Sequence, residues 1–184
     1  FYKKGDLNKA EDYYIKSIDL YKKINDERSI SYVLNNLGNI YQAKNELDKA
    51  LLYFNESLSI RTKLGLQSGI SQGLISIANI YLRQGKLKDA ETMASKALKI
   101  AQEIGFPDKI QNAAKILYQI YKKQNNGLEA LKMYELHVLM HDSLKSINTQ
   151  KALITQNAKY KISFEDGKLP NKILSRTRYN PPLW

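Results

Sequence analysis

Two histidines, His137 and His141, stand four apart in the stretch HVLMH. On a helix that spacing puts both rings on one face, near enough to share a zinc ion. A hydrolytic zinc helix carries a glutamate directly after its first histidine. Val138 stands there instead, and Asp142 is the only adjacent carboxylate. His137 also falls in an evenly spaced row with Ser17, Ser57 and Ala97, so a packed ring is the expectation. The chain has no cysteine, which excludes disulfides, thiolate zinc sites and a cysteine nucleophile. No glycine-rich phosphate loop, nucleophile elbow or kinase signature occurs. The expectation is a protein with no catalytic residue, no metal and no cofactor.

Thirteen tyrosines raise the question of base stacking. Tyr14, Tyr41, Tyr81, Tyr121 and Tyr134 fall on apolar rows, however, and are expected in the core, which leaves few platforms for bases. The net charge is +11, from 29 Lys/Arg against 18 Asp/Glu. Residues 57–126 carry eleven of the basic residues against four acids, and residues 141–184 carry eight against three. The stretch 1–56 is nearly balanced. An excess of this kind favours an acidic partner. No apolar run approaches the length of a membrane span. The chain starts without Met and in what reads as mid-repeat, so a piece of a longer chain is expected. Cytoplasmic placement is expected, or periplasmic if a signal peptide precedes.

What positions these residues is a repeat. Ala10, Ala50, Ala90 and Ala130 recur at one constant interval, as do Phe1, Tyr41, Tyr81 and Tyr121, and likewise Tyr14, Phe54, Ala94 and Tyr134. A fixed period of this size is the mark of a stacked array. Within one period Tyr32, Val33, Leu37, Ile40, Tyr41 and Ala43 recur at helical steps, and so do Leu47, Ala50, Leu51, Phe54, Leu58 and Ile60. Between the two sets stands KNEL, with KGDL, QGKL and QNNG at the same place in the other copies. Gly or Asn there supplies a left-handed residue that ends a helix. Each period is therefore an antiparallel helix pair, with Gly65, Gly105 and Asn25-Asp26 closing the second helix. Asp6, Asp48 and Asp89 suit the positive end of the helix that follows. Pro107 breaks the chain before the last pair. Small residues at Ala50 and at Gly38 and Ala78 predict close helix crossings. A pair cannot bury both its faces, so the pairs stack into a right-handed superhelix.

These residues resemble the tetratricopeptide repeat family, whose Leu-Gly, Tyr, Ala, Phe pattern is matched by Leu37, Gly38, Tyr41, Ala50 and Phe54. Ile77, Ala78, Tyr81, Ala90 and Ala94 match it again, as do Leu117, Tyr121, Ala130 and Tyr134. In that last copy Tyr118 replaces the small residue, which implies a wider crossing. The period of 40 exceeds the usual ~34, and Thr62 stands where a proline closes the usual repeat. Long repeats without that proline are similar to arrays in bacterial signalling proteins, sensor histidine kinases and transcription regulators among them. The stretch HDSLKSINTQKALITQNAKYK resembles the helix that follows the repeats in such sensors. The implied organisation is an all-α solenoid over residues 1–140: a half repeat at 1–25 and full repeats at 27–65, 67–105 and 108–141. A capping helix at 142–164 and a non-helical basic tail at 165–184 complete it.

The resemblance implies binding of a protein or peptide on the concave face, lined by the first helix of each pair. The positions pointing away from the core are Asn35, Asn36, Asn39 and Gln42 in the second repeat. The third gives Gln72, Ile75, Ser76, Asn79 and Arg83, and the fourth gives Asn112, Lys115, Gln119, Lys122 and Lys123. Asn39, Asn79 and Gln119 share one repeat position, and carboxamides both donate to and accept from a peptide backbone. The chaperone-binding carboxylate clamp is not matched, because Gln72 and Ser76 stand where its cations belong. An interaction scaffold, the sensory or scaffolding part of a larger bacterial signalling protein, is the expected role, with an acidic protein or peptide as partner. Nucleic acid is not an expected partner. The alternatives are a nucleic-acid-associated transcription regulator or a non-catalytic segment of a sensor histidine kinase. The tail, with Leu183 and Trp184, is expected to dock on a helical surface, its own or that of a second copy, which would be self-association.

Overall fold

The computed structural model describes residues 7–165, with side chains described as far as Lys159. The order is α1 (Leu7–Lys23), α2 (Glu27–Ala43), α3 (Leu47–Lys63), α4 (Gln67–Arg83), α5 (Leu87–Glu103), α6 (Pro107–Lys123) and α7 (Gly127–Glu165). The described residues contain no strand. Helices α2–α3, α4–α5 and α6–α7 are the three full pairs, and α1 is the second helix of a preceding one. By its contacts the chain divides after Asp142 into two compact units, 1–142 and 143–184.

Six turns separate the helices, and each is made the same way. Asn25, Asn45, Gly65, Gly85, Gly105 and Asn125, one in each turn, all have positive φ between 54° and 75°. After each, the next residue's N–H reaches back to a carbonyl five positions earlier: Asp26 to Tyr21 (3.0 Å), Glu46 to Tyr41 (2.8 Å), Leu66 to Arg61 (2.9 Å). Lys86, Phe106 and Asn126 repeat the bond to Tyr81, Ala101 and Tyr121 at 2.9, 3.1 and 2.9 Å. This is a Schellman ending, which needs a left-handed residue that only Gly and Asn adopt cheaply. The residue receiving the turn is also the N-cap of the next helix, so the chain reverses at once. Two of these residues cap with their side chains: Asn126 Oδ1 accepts from the N–H of Glu129 at 3.3 Å, and Asp26 accepts from the N–H and hydroxyl of Ser29 at 2.9 and 2.6 Å. The bonds from Ser29 hold the Asp26 carboxyl below the ordinary 3.8. Helix α6 opens on Pro107, where a missing N–H costs nothing.

The array's core lies both within the pairs and between neighbouring ones. Ala10, Ala50, Ala90 and Ala130 are all buried. Gly38 makes room for an aromatic ring, because a Cβ added there would lie 2.5 Å from the ring of Phe54. One period later the same two places hold Ala78 and Ala94, both fully buried. One period further on they hold Tyr118 and Tyr134, whose rings tilt against each other at 5.5 Å. Two rings cannot both enter one crossing, and Tyr134 remains 48% exposed. The expectation that Tyr134 is core is thereby corrected. A similar correction applies to Tyr32, placed above on an apolar row: it is 49% exposed. Its ring lies 5.3 Å from the guanidinium of Arg61.

The boundary expected between the last repeat at 141 and a capping helix at 142–164 falls within a single helix, beside the place where the chain divides into its two units. Helix α7 runs unbroken for 39 residues. The reason lies in the rhythm of the turns, whose next position is Lys145. Lysine does not take the left-handed conformation readily, and no Gly or Pro occurs from 128 to 165, so nothing stops the helix. Glu165, counted above as the first residue of the tail, is the last of α7. The docking expected of the tail lies, beyond that residue, outside the described residues.

Candidate functional site

Helices α2, α4 and α6 place their polar rows along one face, and two adjoining concavities open there. One, of about 380 Å³, is lined by Asn39 and Gln42 of α2, by Gln72, Ile75, Ser76 and Asn79 of α4, and by Asn112, Lys115, Ile116 and Gln119 of α6. The other, of about 630 Å³, is lined by Asn79, Leu82, Arg83, Tyr118, Gln119, Lys122 and Lys123. The shared walls are Asn79 and Gln119. No carboxylate lines either space. The chemistry available is therefore carboxamide donation and acceptance over an apolar floor of Ile75, Ile116 and Leu82, with cations gathered toward the α6 side.

Of the groove residues expected from the sequence, Asn39, Gln42, Gln72, Ser76, Asn79, Arg83, Asn112, Lys115, Gln119 and Lys122 line these two spaces. Asn36 does not line them. Asn35 does not either: it is 8% exposed and turned into the stack, where its Oδ1 accepts from Arg61 Nη1 at 3.1 Å. The reason is the residue opposite. At the place where α5 carries the fully buried Ala101, α3 carries Arg61, 2% exposed. A buried guanidinium must find acceptors, and Arg61 takes Asn35 and the carbonyl of Gly69, 2.9 Å from Nη1. Its Nε has no partner, and burial pulls its pKa down from the ordinary value. Gly69 permits the fit, since a Cβ there would lie 2.9 Å from Arg61 Cδ. Sequence reading missed Arg61 altogether; the signal was its place in the periodic row with Ala101.

Arg83 lines the larger space, but its guanidinium is tied back to α2. Nη1 donates to the carbonyl of Gln42 at 3.2 Å and Nη2 to Asn45 Oδ1 at 2.7 Å. Elsewhere in the stack, Glu11 of α1 takes the Lys44 ammonium and the Tyr41 hydroxyl. Those bonds, Lys44 first, hold the Glu11 carboxyl below the ordinary range, and Glu11 in turn pushes the Tyr41 hydroxyl up. The same trio returns two periods later: Gln124 Nε2 donates to Glu91 at 2.9 Å, and burial, then Glu91, raise Tyr121. Leu51 stands in place of the acid in the intervening copy, so Gln84 reaches Asp48 at 3.3 Å and its Oε1 is buried unbonded.

His137 and His141 both address Gln111 of α6. His137 Nδ1 lies 3.2 Å from the Gln111 carbonyl, which can only accept, and His141 Nδ1 lies 3.0 Å from Gln111 Nε2. The His137 contact is one of a series across the pairs: Ser57 Oγ to the Ser31 carbonyl at 2.6 Å, and Ser71 Oγ to that of Ala97 at 3.0 Å. Each joins positions 26 apart in sequence. Both rings thus link α7 to α6 through Gln111, His137 part-buried and His141 at the surface. Among the described residues no group of three or more metal-ligating side chains occurs. None of their helices is long and apolar enough to cross a membrane.

Comparison with known proteins agrees with this geometry. Residues 1–63 match one family model described as Tetratricopeptide repeat, and residues 74–104 match a second with the same description. Among solved structures the chain is similar to the crystal structure of BtubC (BKLC) from P. vanneervenii, with a TM-score of 0.68 at 17% identity. The alignment covers 77% of this chain and 59% of that one, and at such identity it speaks for the fold. No curated protein matches the chain. Repeats of this family generally bind proteins or peptides and serve as non-catalytic scaffolds. From its periodic rows, its paired helices and both family matches, the chain is a tetratricopeptide repeat protein.

Proposed function

We propose that this protein holds a peptide or protein segment along the face made by α2, α4 and α6, with acidic residues of the partner toward α6. The observation that carries the reading is the line Asn39, Asn79, Gln119: three carboxamides at one repeat position, opening on a shared concavity that no acid lines. Side chains of this type pair with an extended backbone whatever its sequence, while Lys115, Lys122 and Lys123 select its charge. The role proposed is the sensory or scaffolding part of a larger bacterial signalling protein, cytoplasmic, or periplasmic if a signal peptide precedes.

The test is Asn39→Ala with Asn79→Ala, titrated against acidic peptides immobilised as an array and then in solution. Neither residue is buried, so unfolding free energy should stay within about 0.5 kcal/mol of the parent while peptide affinity falls. Unchanged affinity, together with loss on charge reversal of the opposite face, would show that the partner binds elsewhere.

A further inference from the structure

The larger concavity exists because one strap of the repeat is missing. Between α2 and α4, Arg83 crosses the gap and is held by the Gln42 carbonyl and the Asn45 side chain. One period on, between α4 and α6, Lys123 stands where Arg83 did and Gly85 where Asn45 did. Lysine has one terminal nitrogen in place of the guanidinium fork, and Gly85 offers no side-chain acceptor. No hydrogen bond or ion pair ties Lys123 back among the described residues. The gap stays open as a space of about 630 Å³. Tyr118, standing where the other repeats have Gly38 and Ala78, lines it with an aromatic ring. Leu82, 9% exposed, supplies an apolar wall. Lys122 lies 5.5 Å from the centre of the Tyr118 ring.

We infer that this space is a receptor for an aromatic phosphate monoester. Its flat apolar group would lie between Tyr118 and Leu82, and its dianion would take Lys122 and Lys123. A ring beside a flat wall selects a planar group. Two lysine ammoniums with no ion pair among the described residues, and no acid lining the space, favour a compact dianion over a single carboxylate. A phosphorylated tyrosine side chain and a free nucleotide share this chemistry. The inference does not rest on the peptide reading: Asn79 lines both spaces, but Asn39 lies outside this one, so Asn39→Ala alone should leave the phosphate site intact.

The experiment is an NMR titration of the isotope-labelled full chain with phenyl phosphate, with phenol and inorganic phosphate as controls. Saturable shifts are expected at Tyr118, Gln119 and Lys122. Each control should bind at least about tenfold more weakly, phenol through the lost charged hydrogen bonds and inorganic phosphate through the lost ring contact. Gly85→Asn with Lys123→Arg rebuilds the strap, and Asn already serves at the matching left-handed positions 25, 45 and 125. That variant should melt like the parent and lose phenyl phosphate binding. Lys122→Gln, an exposed change, serves as a second variant and should weaken binding about tenfold on the same grounds. Stronger binding of phosphotyrosine than of AMP assigns the group to a protein side chain; the reverse assigns it to a nucleotide. Inorganic phosphate binding as well as phenyl phosphate, or binding that survives in the strapped variant, overturns the proposal.

Discussion

Glu11 illustrates how one residue joins neighbouring repeats. Its carboxylate accepts from Lys44 and from Tyr41 across the α1–α2 contact, and its pKa lies below the ordinary 4.5. A carboxyl with a lowered folded pKa stabilises the fold fully above its unfolded value and loses that contribution as pH falls through the folded one. The stability difference between the parent and Glu11→Gln should thus be present at pH 7 and shrink once pH drops below 4.5. Urea unfolding of both proteins from pH 7 downward measures it. A gap that persists well below that range would mean the interaction is not the carboxylate's. Gly38 and Phe54 form a second such device. Gly38→Ala should cost about 1–3 kcal/mol by overpacking against the ring, while in a Phe54→Ala background it should be close to neutral, because the ring it strikes is gone. A double-mutant cycle by chemical denaturation reads the coupling. Ala78 and Ala94 in the next repeat show the alternative filling that such a pair adopts.

Among the helices, the turns govern where each one stops. All six use a left-handed Asn or Gly at a regular interval, and α7 continues where Lys145 takes that place. Replacing Gly65 or Gly105 by Ala forces a Cβ into that conformation, at about 1–2 kcal/mol per site. Nothing lies within 4 Å of a Cβ at either glycine, so the cost is conformational and not steric. The two losses should add, since the turns are far apart and share no partners; thermal or urea melts of the two single variants and the double check this. The proline missing from these repeats has its explanation here too. Helix α3 runs on to Lys63 through Thr62, whose hydroxyl donates back to the Leu58 carbonyl at 2.8 Å.

Across the array, the net charge of +11 makes salt the discriminating variable. A partner held by carboxamides in a groove should lose affinity gently with ionic strength. A partner held through phosphates should lose about 10³–10⁵ in affinity between about 50 and 200 mM salt if six to ten phosphates are engaged. Affinity for an acidic peptide measured across that range is expected to follow the gentle course, and a steep slope would favour the nucleic-acid alternative. A linear array also makes the effects of distant substitutions independent, because each helix pair contacts only its neighbours.

The period, the helix pairs, the alanine row and the polar face of α2, α4 and α6 were all legible from residue types alone, because each follows from recurrence at fixed spacing. Backbone turns and small-residue crossings are local, so a left-handed Asn45 or a buried Ala90 can be read from the residue and its copies. The unbroken α7 was not read from the sequence, although Lys145 at the turn position carried the signal. What depends on the residue opposite came only from the packed chain. Asn35 looks like Asn39 in sequence, yet it turns inward because Arg61, one helix away, needs an acceptor in the stack. Tyr134 shares a row with Phe54 but lies at the surface, because its neighbour is Tyr118 and not Gly38. Whether Arg83 closes a gap and Lys123 leaves one open rests on what Asn45 and Gly85 present across it. Periodicity fixes which face a side chain occupies; only packing fixes whether the space it faces is already filled.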